Sequence, residues 1–244
     1  MLKNMMLFVG SVFMPLWVLA EPLCRDDNAS IVGAALNEKT QKLLYCERYY
    51  QLDESHWRVD YHAGKKLIVQ KTLDYSLGLE SPMVVQEDLR SGELRVVTVS
   101  DDLARWRVQY RANVDDEKEV ADISRGSDQV VDAGFDAFVR QKWGDVIADS
   151  AIVFNFLSIP HLRSIPLRAK RVDISGCDIL NVQIQDGICI RVEANNRLLR
   201  FFVDRLTLLY DPQKRLRAFN GPVNIQSDTA KTQKATIVYQ YKVD

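Results

Sequence analysis

The chain is short of the residues that interrupt regular structure and of those that most often do chemistry. Its 244 residues include 11 glycines, 7 prolines and 3 histidines. No glycine-, serine- or proline-rich stretch divides it and no internal repeat is visible, so the length reads as one domain. The charge shows no basic excess, with 32 Lys and Arg against 33 Asp and Glu. That balance argues against a nucleic-acid partner, whose binders normally carry a basic surplus. The strand-to-helix Gly-x-Ser-x-Gly elbow of many hydrolases is absent, and "SRGSDQ" at 124–129 reads as a turn followed by a helix cap. Beyond residue 20 no apolar run approaches the roughly 20 residues that a spanning helix needs, so the chain is not expected to be an integral membrane protein.

The N-terminus has what the rest lacks. Lys3 precedes an apolar run from Met5 to Leu19, and the small residue Ala20 follows. This is the layout of a secretory signal, with Val18 and Ala20 at the two positions a signal peptidase reads. The run is too short for an uncleaved anchor. Cys24 is preceded by Glu21, Pro22 and Leu23, whereas lipid attachment requires small residues directly before the cysteine. The sequence therefore predicts a signal peptide at 1–20 and a single β-rich domain at 21–244, soluble in a bacterial periplasm.

All four cysteines, Cys24, Cys46, Cys177 and Cys189, lie beyond that cut. An even number in an exported chain suggests two disulfides. Proximity favours Cys24 with Cys46 and Cys177 with Cys189, although four cysteines permit three pairings. No two cysteines have CxxC spacing and His56, His62 and His161 are scattered, so neither a metal site nor a cofactor is expected. His56 and His62 fall on one face of a strand but roughly 20 Å apart.

What is present in abundance is period-two alternation, the mark of half-buried strands. In "HWRVDYHAGKKLIVQKTLDYS", Trp57, Val59 and Tyr61 point one way and Arg58 and Asp60 the other, with a reversal at Ala63-Gly64. Similar runs cover 42–51, 82–89, 94–100, 105–111, 151–157 and 167–174. "NVQIQDGICIRV" predicts a hairpin turning at Asp186-Gly187; "LTLLYDPQKRLRAFNG" predicts two strands joined through Asp211-Pro212, and "ATIVYQYKV" a last one. One segment has helical period instead. From Ser127 or Asp128, residues Val131, Phe135, Phe138, Val139, Trp143, Val146 and Ile147 share one face, which predicts a helix over about 128–148. The expected fold is mainly β: a large curved antiparallel sheet or half-barrel with that one long helix packed on or in it.

"KKLIVQKTLDYS" at 65–76, "EDLRSGE" at 87–93 and "LTLLYDPQKRLRAFNGPVNI" at 206–225 resemble the pattern of uncharacterised exported proteins of Gram-negative bacteria over most of the mature chain. That resemblance brings no activity to any residue. The many-stranded arrangement with a helix is also similar in architecture to the half-barrels of periplasmic lipoprotein carriers and lipid-binding proteins, a likeness that does not fix function.

No catalytic constellation can be drawn. Neighbouring carboxylates such as Glu87 and Asp88 point to opposite faces of a strand, and Asp115, Asp116 and Glu117 lie in a polar loop. The candidate ligand-binding residues are the apolar set Trp106, Tyr110, Phe135, Phe138 and Trp143, which would fill either a dry core or an open cleft for a hydrophobic small molecule or envelope component. In "RWRVQYR", Arg105, Arg107 and Arg111 share the opposite face from Trp106 and Tyr110. They would hold an anionic group or pair across strands with acids such as Asp60, Glu87 or Glu93. The leading expectation is a non-catalytic binding protein; the alternative is an envelope assembly or interaction module using exposed strands and the basic stripe. N-terminal mass analysis of protein from a periplasmic extract should find a chain beginning at Glu21; an acylated Cys24 or an intact Met1 would count against the export reading.

Overall fold

The computed structural model of the chain describes residues 24–179, 182, 184, 186–196, 204–227, 229 and 231–242; the expected signal peptide lies outside them. The alternating segments form strands because one side chain in two finds an apolar partner. In β5 (Met83–Asp88), Val84, Gln86 and Asp88 are buried while Val85 and Glu87 are exposed. Before it come β1 (Ile31–Asn37), β2 (Leu43–Gln51), β3 (His56–Ala63) and β4 (Lys66–Asp74); after it β6 (Leu94–Val99), β7 (Arg105–Arg111), β8 (Glu119–Ser124) and β9 (Gln129–Val131). The second half contributes β10 (Ile152–Ser158), β11 (Arg163–Val172), β12 (Ile188–Ala194), β13 (Leu206–Tyr210), β14 (Leu216–Pro222) and β15 (Lys234–Tyr241).

These fifteen strands of the described residues make one sheet in the order β8 through β1, then β15 through β9. Strands adjacent in sequence pair antiparallel within each arm, and the arms meet where β1 pairs β15, from Ile31 opposite Tyr241 to Asn37 opposite Ala235. Only β9 is parallel to its neighbour, β10. The short β9 is tied back to the other arm, since the Val131 amide donates to the Glu80 carbonyl at 3.0 Å and the Ser81 hydroxyl to the Gln129 carbonyl. The loop between β14 and β15 folds across one end of the curved sheet and buries Ile225. Arginines hold it there: Arg90 donates to the Gln226 carbonyl at 2.8 Å and Arg95 to the Asn224 side-chain oxygen at 3.3 Å. Each arginine is fixed in turn by a buried carboxylate, Asp88 at 2.7 Å and Glu93 at 2.8 Å.

The helical segment is shorter than expected and divided. Residues 129–131 form β9, because Val130 and Val131 are β-branched and find strand partners in Phe156 and Leu157. Asp132 then takes a left-handed backbone with φ 43°, which ends the strand and cannot begin a helix. The helix α1 (Gly134–Gln141) starts beyond it. A β-carbon on Gly134 would stand 2.1 Å from the Glu80 carbonyl oxygen, so that close approach requires glycine. Lys142, with ψ 18°, separates α1 from the single turn α2 (Trp143–Ile147). Most of the expected apolar face is buried, with Phe138, Val139, Trp143 and Val146 against Phe154, Ile190 and Leu208 of the second arm, but Ile147, at the end of α2, is exposed.

The hairpin expected at Asp186-Gly187 lies partly outside the described residues. The strand expected before that turn falls on residues 181, 183 and 185, which lie outside the described set, while both edges of β12 pair with β11 and β13. The intervening excursion carries Cys177, bonded to Cys189 with 5.9 Å between α-carbons, and Cys24 is bonded to Cys46 at 5.7 Å. These are the two pairings that proximity favours. The Phe138 ring lies 5.0 Å from that of Phe154 in a filled part of the core, so Phe138→Ala should cost about 3–5 kcal/mol in urea unfolding; a loss below about 1 kcal/mol would show that the helix is not packed there.

Candidate functional site

Inward-facing residues of paired strands fall into rows. Gly33 on β1 sits between Tyr239 of β15 and Glu47 of β2, and Glu47 is opposite Tyr61 of β3. Two residues along, on the same face, lie Tyr241, Ile31 and Tyr49 in one direction and Ile237, Ala35 and Tyr45 in the other. A β-carbon on Gly33 would be 3.0 Å from the Tyr239 ring and 3.2 Å from a Glu47 oxygen, so the missing side chain lets those two groups reach across it. Facing this wall are Phe156, Leu167, Val192 and Leu208 of the other arm, with α1 between. The space they enclose is not filled: a cavity of about 520 Å³ remains.

The cavity has two unlike ends. At its mouth Glu54, Leu79, Arg140 and Lys214 are exposed. At its deep end it is lined by Tyr45, Lys71, Asp132 and Ile225. Helix α1 runs between them, presenting Phe135, Asp136, Ala137 and Arg140 to the cavity; eight residues span about 12 Å.

The deep charges are held by one another. The Lys71 ammonium donates to Asp132 Oδ1 at 2.6 Å, and Asn224 Nδ2 to Oδ2 at 2.8 Å. The Ala133 amide also donates to Oδ1, at 2.8 Å. Nearby, the Tyr49 hydroxyl donates to Glu47 Oε2 at 2.8 Å. Burial pushes the Glu47 carboxyl above the ordinary carboxylate range, and Asp132 adds to the rise; the Tyr49 and Tyr239 hydroxyls and Lys71 oppose it. Toward the mouth, burial also raises Asp136 against the pull of Arg140. The Tyr241 hydroxyl is pushed up to about 12, chiefly by burial and then by Asp136.

Of the candidate binding residues, the structure brings Phe135 to the cavity. Phe138 packs on Phe154, and Trp143 stands edge-on to Tyr210 at 5.4 Å. Trp106 is buried beneath the Arg125 guanidinium, 4.5 Å from its ring centre, and Tyr110 donates to Glu93 at 3.3 Å. Arg105 and Arg107 are exposed on the outer face of β7. Arg107 pairs with Asp122 at 3.3 Å and Arg111 donates to the Gly92 carbonyl at 3.1 Å. The acid across the strand is thus Asp122 of β8, a strand that "EVADIS" does not advertise because neither face is strongly apolar. His56 is bonded to Asp53 at 2.9 Å and His161 to Ser158 at 2.8 Å. Among the described residues no group of three or more His, Cys, Asp or Glu is placed to hold a metal, and no helix is long and apolar enough to cross a membrane. The residues that sequence reasoning missed are Tyr45, Glu47, Tyr49, Lys71 and Tyr239 inside and Lys214 and Arg215 at the rim. The alternating tyrosines of "YCERYY" and "YQY" were the available signal.

No family model matches the chain, and no curated protein matches it. Among solved structures it is similar to the crystal structure of a beta-barrel-like protein of domain of unknown function DUF1849 from Brucella abortus. The identity is 8% and the TM-score 0.49, over 87% of this chain and 94% of that one.

Folded Glu47 holds its proton more tightly than an unfolded glutamate. Its contribution to stability is therefore full below the ordinary carboxylate range and is lost as pH rises through the raised folded value. Urea unfolding at a series of pH values should show the native chain losing stability relative to Glu47→Gln as pH rises from the carboxylate range; parallel curves would show that Glu47 is not shifted.

Proposed function

We propose that this chain is a non-catalytic periplasmic binding protein that holds a hydrophobic, lipid-like ligand in the cavity under α1. The observation that carries the reading is a cavity of about 520 Å³, lined mainly by aliphatic and aromatic side chains, inside a sheet whose core is otherwise packed. Its volume falls within the range of about 300–1,000 Å³ that small-molecule sites occupy. The deep charged groups Lys71 and Asp132 are engaged with each other, which favours binding over turnover. Two disulfides are consistent with an oxidising compartment, and the pattern from Lys3 to Ala20 supports export.

The second reading, an assembly or interaction module, draws on β8, which has no partner on its outer side among the described residues and exposes Val120. An edge without a hydrogen-bonded neighbour admits an added strand, although β11 approaches β8 here. The two readings separate on one substitution. Ala137 lines the cavity from α1, and Ala137→Trp would fill the space beneath it. Native protein should bind a neutral apolar fluorophore at one site and the variant at least about ten-fold more weakly, as expected when a site loses its volume. Native mass spectrometry of protein purified from its own compartment should reveal a co-purifying apolar molecule. No fluorophore binding by the native chain would end the cavity reading and leave the strand edge.

A further inference from the structure

The two ends of the cavity differ in the charge they can offer a ligand. The deep cation, Lys71, is 2.6 Å from Asp132, and Glu47 adds a second carboxylate to the same enclosed region. An anionic group carried to that depth would find the one ammonium already paired with Asp132 and, among the described residues, no free cation beside the Glu47 carboxyl, where uncompensated charge is costly.

The rim is different. Lys214 stands at the tip of the turn between β13 and β14 with φ 61°, a backbone conformation that lysine seldom adopts. Asp211 holds the turn in place, accepting the amides of Gln213 and Arg215 at 3.0 and 2.9 Å and Arg215 Nε at 2.8 Å. The Lys214 ammonium lies 5.7 Å from the Trp143 ring centre and, among the described residues, has no carboxylate within ion-pair distance. Arg215 gives only Nε to Asp211 and lies 5.7 Å over the Tyr241 ring. Arg140, close enough to act electrostatically on the Tyr241 hydroxyl, approaches from α1. Its pair with Asp136, at 3.1 Å, is half exposed and such pairs contribute little. Glu54 and Asp136 of the lining, and Asp211 through its pair with Arg215, are the carboxylates that oppose these cations.

Resting on the cavity reading above, we infer that the ligand is an anionic amphiphile, an alkyl or acyl chain ending in a carboxylate or phosphate, which enters chain-first and leaves its head group on Arg140, Lys214 and Arg215. Guanidinium and ammonium donors suit both head groups. The far end, whose one ammonium is already paired with Asp132, imposes the orientation.

The test is displacement of a neutral naphthylamine fluorophore from the mature chain by dodecanol, dodecanoate, dodecyl phosphate and inorganic phosphate, at low and high salt. Dodecanoate and dodecyl phosphate should outcompete dodecanol by about ten-fold at low salt, and the margin should shrink at high salt because exposed charges are screened. In Arg140→Gln/Lys214→Gln the ratio should fall to within about two-fold. Lys214→Glu, a single exposed change whose melting temperature can be compared with the native value, should lower it in the same direction. Equal affinity for alcohol and acid in the native chain, or a preference that survives both variants, overturns the head-group assignment and leaves the cavity reading standing. Competition by inorganic phosphate as strong as that of dodecyl phosphate would make the rim a free-anion site and also overturns it. If no amphiphile displaces the fluorophore, the cavity reading falls and this inference with it.

Discussion

The buried pair of Lys71 and Asp132 is the contact on which the arrangement of the site depends. It joins three segments far apart in sequence: β4 through Lys71, the start of α1 through Asp132, and the loop between β14 and β15 through Asn224. A buried ion pair is a poor source of net stability, because desolvation offsets most of the attraction, yet removing one partner alone is strongly destabilising. Here the remaining lone pairs of Asp132 are met by Asn224 and the Ala133 amide, so the pair acts mainly as a fixed point. With Asp132 held there in a left-handed conformation, α1 must leave at an angle that carries it across the open face of the sheet. The cavity exists because the helix is pinned at its start, with Phe138 and Val139 committed to one arm only.

Most of the sheet was legible. Where one face is apolar and the other wet, as in β3, β4 and β5, alternation shows in the letters, and Trp57, Val59 and Tyr61 do share the inner face. β1 was not legible. "IVGAALN" has no polar alternation because it lies in the middle of the sheet with small residues, Gly33, Ala34 and Ala35, under larger neighbours. β8 failed for the opposite reason: at an edge, mostly exposed, it needs no apolar face. The helix was visible as a periodicity but not in its limits, since Val130 and Val131 suit a helical face and a parallel strand equally and only tertiary pairing decides between them.

The site was less legible than the fold, for a physical reason. A stripe of aromatic residues at period two reads identically whether it lines a cavity or fills a core, and Trp106, Phe138 and Trp143 prove to be core while Trp57, Tyr61 and Phe135 line the cavity. The distinction arises from the distance between two arms of the sheet, which no local pattern encodes. The arginines of the basic stripe on β7 all fall within the single run "RWRVQYR". The rim cations come together only through the turn at Lys214 and Arg215 and the helix at Arg140, 74 residues earlier than Lys214.

The seam between β1 and β15 sets the order in which the molecule can be built. Among the described residues every other antiparallel pairing joins strands adjacent in the chain order, so each arm can assemble from local hairpins as soon as its residues are available. β1 is the exception: its second edge waits for residues 234–241, almost the whole length of the chain away. Closing so long a loop is entropically costly and slows the search. Until it closes, the middle of the sheet exposes an unpaired, largely uncharged edge of the kind that joins other chains. With this connectivity the sheet is complete only once β15 is available, so loss of residues 234–241 is a route to aggregation rather than to a smaller folded protein.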